Sequence, residues 1–112
     1  MAVGTLEDSE MTDFAGLWNA TLYTPIGEMA ATFDIHDDNG AITGTSSNGK
    51  ETVEILDAVA HGNKLTWIQK VTTPMKLTLK FEVDFDGDSL EGTSKAGILP
   101  SSRVVGTRAP QR

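Results

Sequence analysis

The sequence predicts an all-β fold, an eight-stranded antiparallel up-and-down barrel, and three observations lead to this expectation. Apolar and polar residues alternate with a period of two along most of the chain, which is typical of strands with one buried face. Turn signals recur about once per 11 or 12 residues over 16–108, as in sandwiches and barrels. The chain also repeats itself at a spacing of 48 to 49 residues, as between Trp18 and Trp67.

Each expected strand is bounded by turn residues. The clearest strand follows Pro74, where apolar residues from Met75 to Val83 alternate with polar ones. Asn39-Gly40 is a hairpin signal, because this pair readily adopts the positive φ angles of a type I′ turn. Asp57 interrupts an apolar run, which indicates a bulge. In chain order, the expected strands cover 16–24, 28–36, 41–46, 52–61, 65–72, 75–84, 89–95 and 103–108.

The internal repeat predicts a two-fold duplication. Phe33 and Phe81 lie 48 residues apart, and the tripeptide Gly-Thr-Ser occurs at both 44–46 and 92–94. Two four-stranded units can close each other's edges, whereas an open sheet of this size would expose them. A barrel is therefore expected rather than a sandwich. The glycine of each tripeptide is expected to mark a barrel corner or a close approach of two backbones.

Three segments carry a family resemblance. Gly16-Leu17-Trp18 opens the first expected strand, Thr107-Arg108 closes the last, and 38–45 forms a Gly-rich hairpin. Together they resemble the calycin superfamily, which comprises lipocalins, fatty-acid-binding proteins and avidins. The resemblance implies a lipocalin-like barrel that is closed by Trp18 and Arg108, since a guanidinium can stack on an indole. It implies no particular ligand, because the additional tryptophans of biotin binders are missing.

Composition argues against several classes of function. The net charge is −7, with 9 Lys and Arg against 16 Asp and Glu, which argues against binding to nucleic acid or to an anionic membrane. Cysteine is absent, which excludes disulfides and thiolate chemistry. No apolar stretch reaches membrane-spanning length, and 1–13 lacks the features of a secretory signal. We therefore expect a cytoplasmic protein, with a flexible acidic leader over 1–13 and a single barrel domain over 14–112.

The barrel interior provides the leading functional hypothesis. An eight-stranded barrel is either filled by its own side chains or holds one small ligand. The inward positions include small residues and methionines, which adapt to apolar shapes, so we expect a small, mostly apolar ligand and no cofactor. Gln69 would be a buried amide whose partner is either a ligand or a neighbouring strand, and Tyr23 would cap the rim or donate to the ligand. The expected ligand-binding residues are Trp67, Gln69, Tyr23, Met29, Phe33, Met75 and Phe81.

A first alternative is a cofactor-free cyclase, isomerase or lyase that acts on a small hydrophobic substrate in the same cavity. Its catalytic acid or base would be Asp57, Tyr23 or His61. Asp57 lies between apolar neighbours, so it either satisfies a bulged backbone or serves as the acid/base group. The sequence contains no nucleophile elbow, phosphate-binding loop or pair of metal-binding histidines, so no metal site is expected.

A second alternative is a filled barrel that serves as an oligomerisation or partner-binding module. The outward face of the first strand carries no charge. It would permit a homodimer through Leu17, Asn19, Thr21 and Tyr23.

Overall fold

The computed structural model describes residues 14–25, 27–72, 76–97 and 99–109. These residues form a single antiparallel sheet. No helix among them is long and apolar enough to cross a membrane. The strands are β1 (Gly16–Thr24), β2 (Gly27–Asp38), β3 (Ala41–Ser47), β4 (Thr52–Glu54), β5 (Leu56–His61), β6 (Lys64–Val71), β7 (Leu77–Asp86), β8 (Ser89–Ala96) and β9 (Ser102–Arg108).

The sheet curls into a nearly closed barrel. Its strand order is β4-β3-β2-β1-β9-β8-β7-β6-β5, so every hydrogen-bonded pair except β1 with β9 also joins neighbours in sequence. The first and last strands run antiparallel, with Trp18 opposite Arg108. The expected all-β antiparallel barrel is confirmed. The leader expected over 1–13 and the start of the sixth expected strand, including Met75, lie outside the described residues.

The expected number of eight strands is wrong, because the expected fourth strand, 52–61, is divided into β4 and β5. The first part pairs with β3 and the second with β6. Between them, the backbone N–H of Ile55 donates to the carbonyl oxygen of Gly44 at 2.9 Å, and the Ile55 side chain is buried. One stretch of chain thus serves both edges of the sheet. We call the break at Ile55 the seam.

Two local backbone expectations are confirmed. Asn39 and Gly40 have φ angles of 55° and 94°, so both central residues of the β2–β3 turn have a positive φ, as a type I′ hairpin requires. The bulge expected near Asp57 is also present. The β5–β6 register shifts between Leu56 and Val59, and Asp57 has a φ of 52°.

The residues of the sequence repeat occupy corresponding positions in the strand register. Phe33 lies opposite Ser46 across β2 and β3, and Phe81 lies opposite Ser94 across β7 and β8. The close backbone approach expected at the glycine two residues before each serine is confirmed. A Cβ atom there would overlap a backbone carbonyl of the neighbouring strand. The unbroken strand β9 pairs with both β8 and β1. In the other half of the repeat, this place is taken by two strands, since β4 pairs with β3 and β5 pairs with β6.

Alternation directs one face of every strand into the barrel, where the core lies. Its largest fully buried side chains come from both halves of the sequence repeat. They are Trp18, Trp67, Phe33, Phe81, Phe85, Ile35, Leu65, Val83 and Val104.

Candidate ligand-binding site

One end of the barrel, which we call the plugged end, is filled by Phe14, Trp18 and Phe85. The Phe85 ring meets the other two edge to face, with centroid distances of 5.0 and 4.9 Å. The indole N–H of Trp18 donates to the carbonyl oxygen of Phe14 at 2.9 Å. Aromatic packing in this geometry stabilises beyond the burial of area alone, so these rings form a fixed base for the interior.

Arg108 packs against this plug. Its guanidinium carbon lies 4.2 Å from the centroid of the Trp18 ring. Its Nη1 atom donates to the carbonyl oxygen of Ala15 at 2.6 Å, and its Nε atom donates to Asp88 Oδ1 at 2.9 Å. The structure thus brings the two residues of the expected closing pair into contact and adds an acidic partner from the β7–β8 turn.

A second aromatic layer crosses the middle of the barrel. Trp67 and Phe81 stack with their centroids 4.9 Å apart and an interplanar angle of 7°. Phe33 meets both rings edge to face, at 5.2 and 5.7 Å. All three side chains are buried. This layer separates the plugged end from the remaining interior, which we call the far half.

Gln69 lies directly beyond this layer, two residues after Trp67 and on the same face of β6. Its side chain is only 5% exposed. The indole N–H of Trp67 donates to Gln69 Oε1 at 2.9 Å. The partner of the buried amide is therefore a side chain of its own strand, which the sequence interpretation had not considered.

The inward residues of the far half are less completely covered than those near the plug. Met29, Ala31 and Leu79 are partly buried and pack against the core, whereas Leu65 and Val83 near the plug are fully buried. The apolar side chains that line the far half are therefore partly accessible to solvent.

The buried polar residues among those described are Ser46, Gln69 and Ser94, and none of them carries a charge. The two serines sit at equivalent positions of the sequence repeat, each opposite a phenylalanine of the middle layer. This arrangement offers neutral hydrogen-bonding groups within an apolar wall, which suits an uncharged ligand.

The expected ligand-binding residues divide into three groups. Trp67, Phe33, Phe81 and Gln69 come together in and beside the middle layer, and Met29 faces inward from β2. Tyr23 is exposed on β1, on the side of the strand away from this cluster. Met75 lies outside the described residues.

The candidate catalytic residues lie on the outside of the barrel. Asp57 is exposed in the bulge of β5, and His61 is exposed at the end of the same strand. Tyr23 belongs to β1, which is separated from β5 by several strands in the sheet. The structure does not bring these three groups to one place, and the enzymatic hypothesis stays a prediction.

Sequence reasoning missed Ser46, Ser94 and Asp88. The repeated Gly-Thr-Ser tripeptide carried a signal for both serines, because a residue two places from an inward glycine faces the same way. Nothing local indicated Asp88, since its contact with Arg108 joins residues that are 20 positions apart.

The fold and this interior define the protein as a small antiparallel β-barrel with one aromatic plug and a neutral, partly accessible far half. No protein-family model, curated protein or solved structure matches the chain.

Proposed function

We propose that the protein binds a small, uncharged, mostly apolar molecule in the far half of its barrel, as a lipocalin-like member of the calycin type. The supporting observation is the fixed orientation of the Gln69 amide. The Gly16-Leu17-Trp18 opening and the stacking of Arg108 on Trp18 support the calycin-like assignment.

The Trp67 indole determines which way the Gln69 amide points. An indole N–H can only donate a hydrogen bond, so the atom that it contacts at 2.9 Å must be the amide oxygen. The NH₂ group of Gln69 is consequently held on the other side of the amide plane. The amide cannot flip without leaving a buried indole donor without a partner, which costs about 1–3 kcal/mol.

This NH₂ group is available for a ligand. Among the described residues, it makes no hydrogen bond within the protein. No described side-chain nitrogen or oxygen that is sealed from solvent lacks a partner, so the Gln69 nitrogen faces accessible space. A preorganised donor in an apolar wall favours a ligand that carries a hydrogen-bond acceptor such as a carbonyl oxygen.

The rest of the lining favours an apolar and neutral ligand. Met29, Ala31 and Leu79 provide apolar surface, and the flexible Met29 side chain can adapt to irregular shapes. The buried polar groups beside them are neutral, and an ionised ligand would lose its hydration without gaining a partner of opposite charge.

Titration with an uncharged naphthalene probe tests the binding site. Energy transfer from the indole of Trp67 should give saturable probe emission at one molecule per chain. Ala31→Phe should weaken binding at least about tenfold, because the added ring fills the lining. The matched control is Ala30→Phe, which adds the same ring on the exposed face of β2 and should bind like the original chain. Absence of saturable binding to the unaltered protein, or equal losses in both variants, would refute the proposal.

A second titration tests the role of Gln69. Two matched naphthalene probes are used, of which one bears a ketone oxygen and the other lacks it. Gln69→Leu should weaken binding of the ketone probe about fivefold, which corresponds to one hydrogen bond of about 1 kcal/mol. Binding of the plain probe should change little. An equal effect on both probes would show that Gln69 does not contact the ligand's acceptor.

A further inference from the structure

The outer edge of β5 carries an inference that is independent of the interior site. β5 is the last strand of the described sheet, and its ladder partner there is β6. On the other side, the seam holds the Ile55 to Gly44 hydrogen bond, after which β3 and β5 are not paired. An unpaired strand edge presents backbone N–H and C=O groups that another strand can bind.

The ladder determines which backbone groups face outward. His61 and Lys64 flank a two-residue turn and so form the hydrogen-bonded pair that closes this hairpin. Because bonded and non-bonded pairs alternate in antiparallel strands, Val59 is again bonded to β6. The carbonyl oxygen of Ala58 and both backbone groups of Ala60 therefore point away from β6, towards the free edge.

The side chains of β5 suit a contact with another strand. Val59 is 49% exposed and so presents an apolar side chain to solvent. Asp57 and His61 lie two residues before and two residues after it, and both are exposed. The strand lacks lysine and proline, two of the features with which natural edge strands prevent pairing. It does carry a bulge, at Asp57, which lies at one end of the exposed segment.

We propose that two copies of this chain associate through β5, in antiparallel register about a two-fold axis at Val59. Ala58 of one copy then bonds Ala60 of the other, and this pair occurs twice. Asp57 of each copy lies opposite His61 of its partner. The imidazole N–H can donate to the carboxylate in either protonation state, and the pairing closes on itself as a symmetric dimer.

A second copy fits this edge because the charge pattern is complementary to itself. The carboxylate and the imidazole stand at equal distances from Val59 on opposite sides, which an antiparallel pairing of identical strands requires. The outward backbone groups also fall at 58 and 60, which meet each other in this register. A contact made mainly by one strand from each copy is small, so the dimer is expected to be weak and dependent on concentration.

Cysteine cross-linking tests the register. The chain has no cysteine, so Val59→Cys introduces a single thiol. In the proposed dimer the two Cα atoms at this position are about 4.5 Å apart, because they form a non-bonded pair, which is within the range that a disulfide spans. Leu17→Cys is the matched control, since Leu17 is a similarly exposed residue, at 44%, on the outward face of β1. We expect rapid disulfide dimers from Val59→Cys under mild oxidation and few from Leu17→Cys. Equal rates, or faster cross-linking through Leu17, would overturn the proposal.

Charge exchange tests the Asp57–His61 pairing by sedimentation velocity over a range of protein concentrations. His61→Asp places two carboxylates opposite each other and should abolish association. Adding Asp57→His to it exchanges the partners and should restore association. Both side chains are exposed, and circular dichroism of each variant verifies the fold. A His61→Asp variant that associates normally, or a double variant that stays monomeric while folded, would refute this register.

Discussion

Replacing Arg108 with alanine should lower the free energy of unfolding far more than replacing Arg103, although both arginines lie on β9 and both contact a carboxylate. The Arg103–Glu91 pair has an N to O distance of 2.8 Å, with side chains 63% and 64% exposed. The Arg108–Asp88 distance is 2.9 Å, but the Arg108 side chain is only 15% exposed. The difference lies in what else Arg108 contacts.

The contacts of Arg108 set the expected magnitude. Its bond to the Ala15 carbonyl comes from a charged, largely buried donor, and such bonds contribute about 1.5–3 kcal/mol. Stacking on Trp18 at 4.2 Å adds about 1–2 kcal/mol where water is largely excluded. Asp88 is 84% exposed, so the ion pair adds less than about 1 kcal/mol. Arg108→Ala should therefore cost about 2.5–6 kcal/mol, and Arg103→Ala less than about 1 kcal/mol.

Urea unfolding followed by tryptophan fluorescence measures both values, because each variant keeps both tryptophans. The loss of unfolding free energy for Arg108→Lys should lie between these two values. Lysine retains the charge but lacks the planar guanidinium, which stacks on the indole and donates several hydrogen bonds at once. Equal costs for Arg108→Ala and Arg103→Ala would show that the plugged end does not depend on the guanidinium, and the reasoning would be wrong.

Three further substitutions test the core. Gly44→Ala and Gly92→Ala should each lower the free energy of unfolding in urea by about 3 kcal/mol, because the new methyl group would overlap a carbonyl of the adjacent strand. A loss below about 1 kcal/mol at either site would contradict the close approach of the two backbones. Trp67→Phe should cost about 2–3 kcal/mol by circular dichroism, since it removes packing and leaves the Gln69 oxygen without its donor. The paired change with Gln69→Leu should recover part of this loss, and strictly additive costs would contradict the hydrogen bond between them.

The strands and tight turns could be predicted because their causes are local. Alternation in 77–83 reflects one buried and one exposed face of the same strand, and the Asn39-Gly40 pair has few other favourable conformations. The bulge at Asp57 was predictable for a similar reason, since a carboxylate within an apolar run indicates that the side chains there change from one side of the sheet to the other. None of these inferences required knowledge of which strands become neighbours.

The seam could not be predicted, because the residue pattern does not show where the segment leaves β3, the strand before it, and joins β6, the strand after it. Alternation over 52–61 is the same whether the segment pairs with one strand or with two. The contact of Arg108 with Asp88 could not be predicted either, because it joins residues that are 20 positions apart. The bond between Trp67 and Gln69 could have been predicted, since residues two apart on a strand share a face.

The seam also has a topological consequence. Hydrogen bonds between β1 and β9 already join the beginning and the end of the described sheet, while the ladder is interrupted between β4 and β5. A circular permutant whose new termini open at Ile55 would give up a single backbone bond, the one to Gly44. Its two parts would then each be a continuous run of strands, β5 to β9 and β1 to β4. The seam therefore marks where the barrel could be divided into two complementary fragments that reassemble.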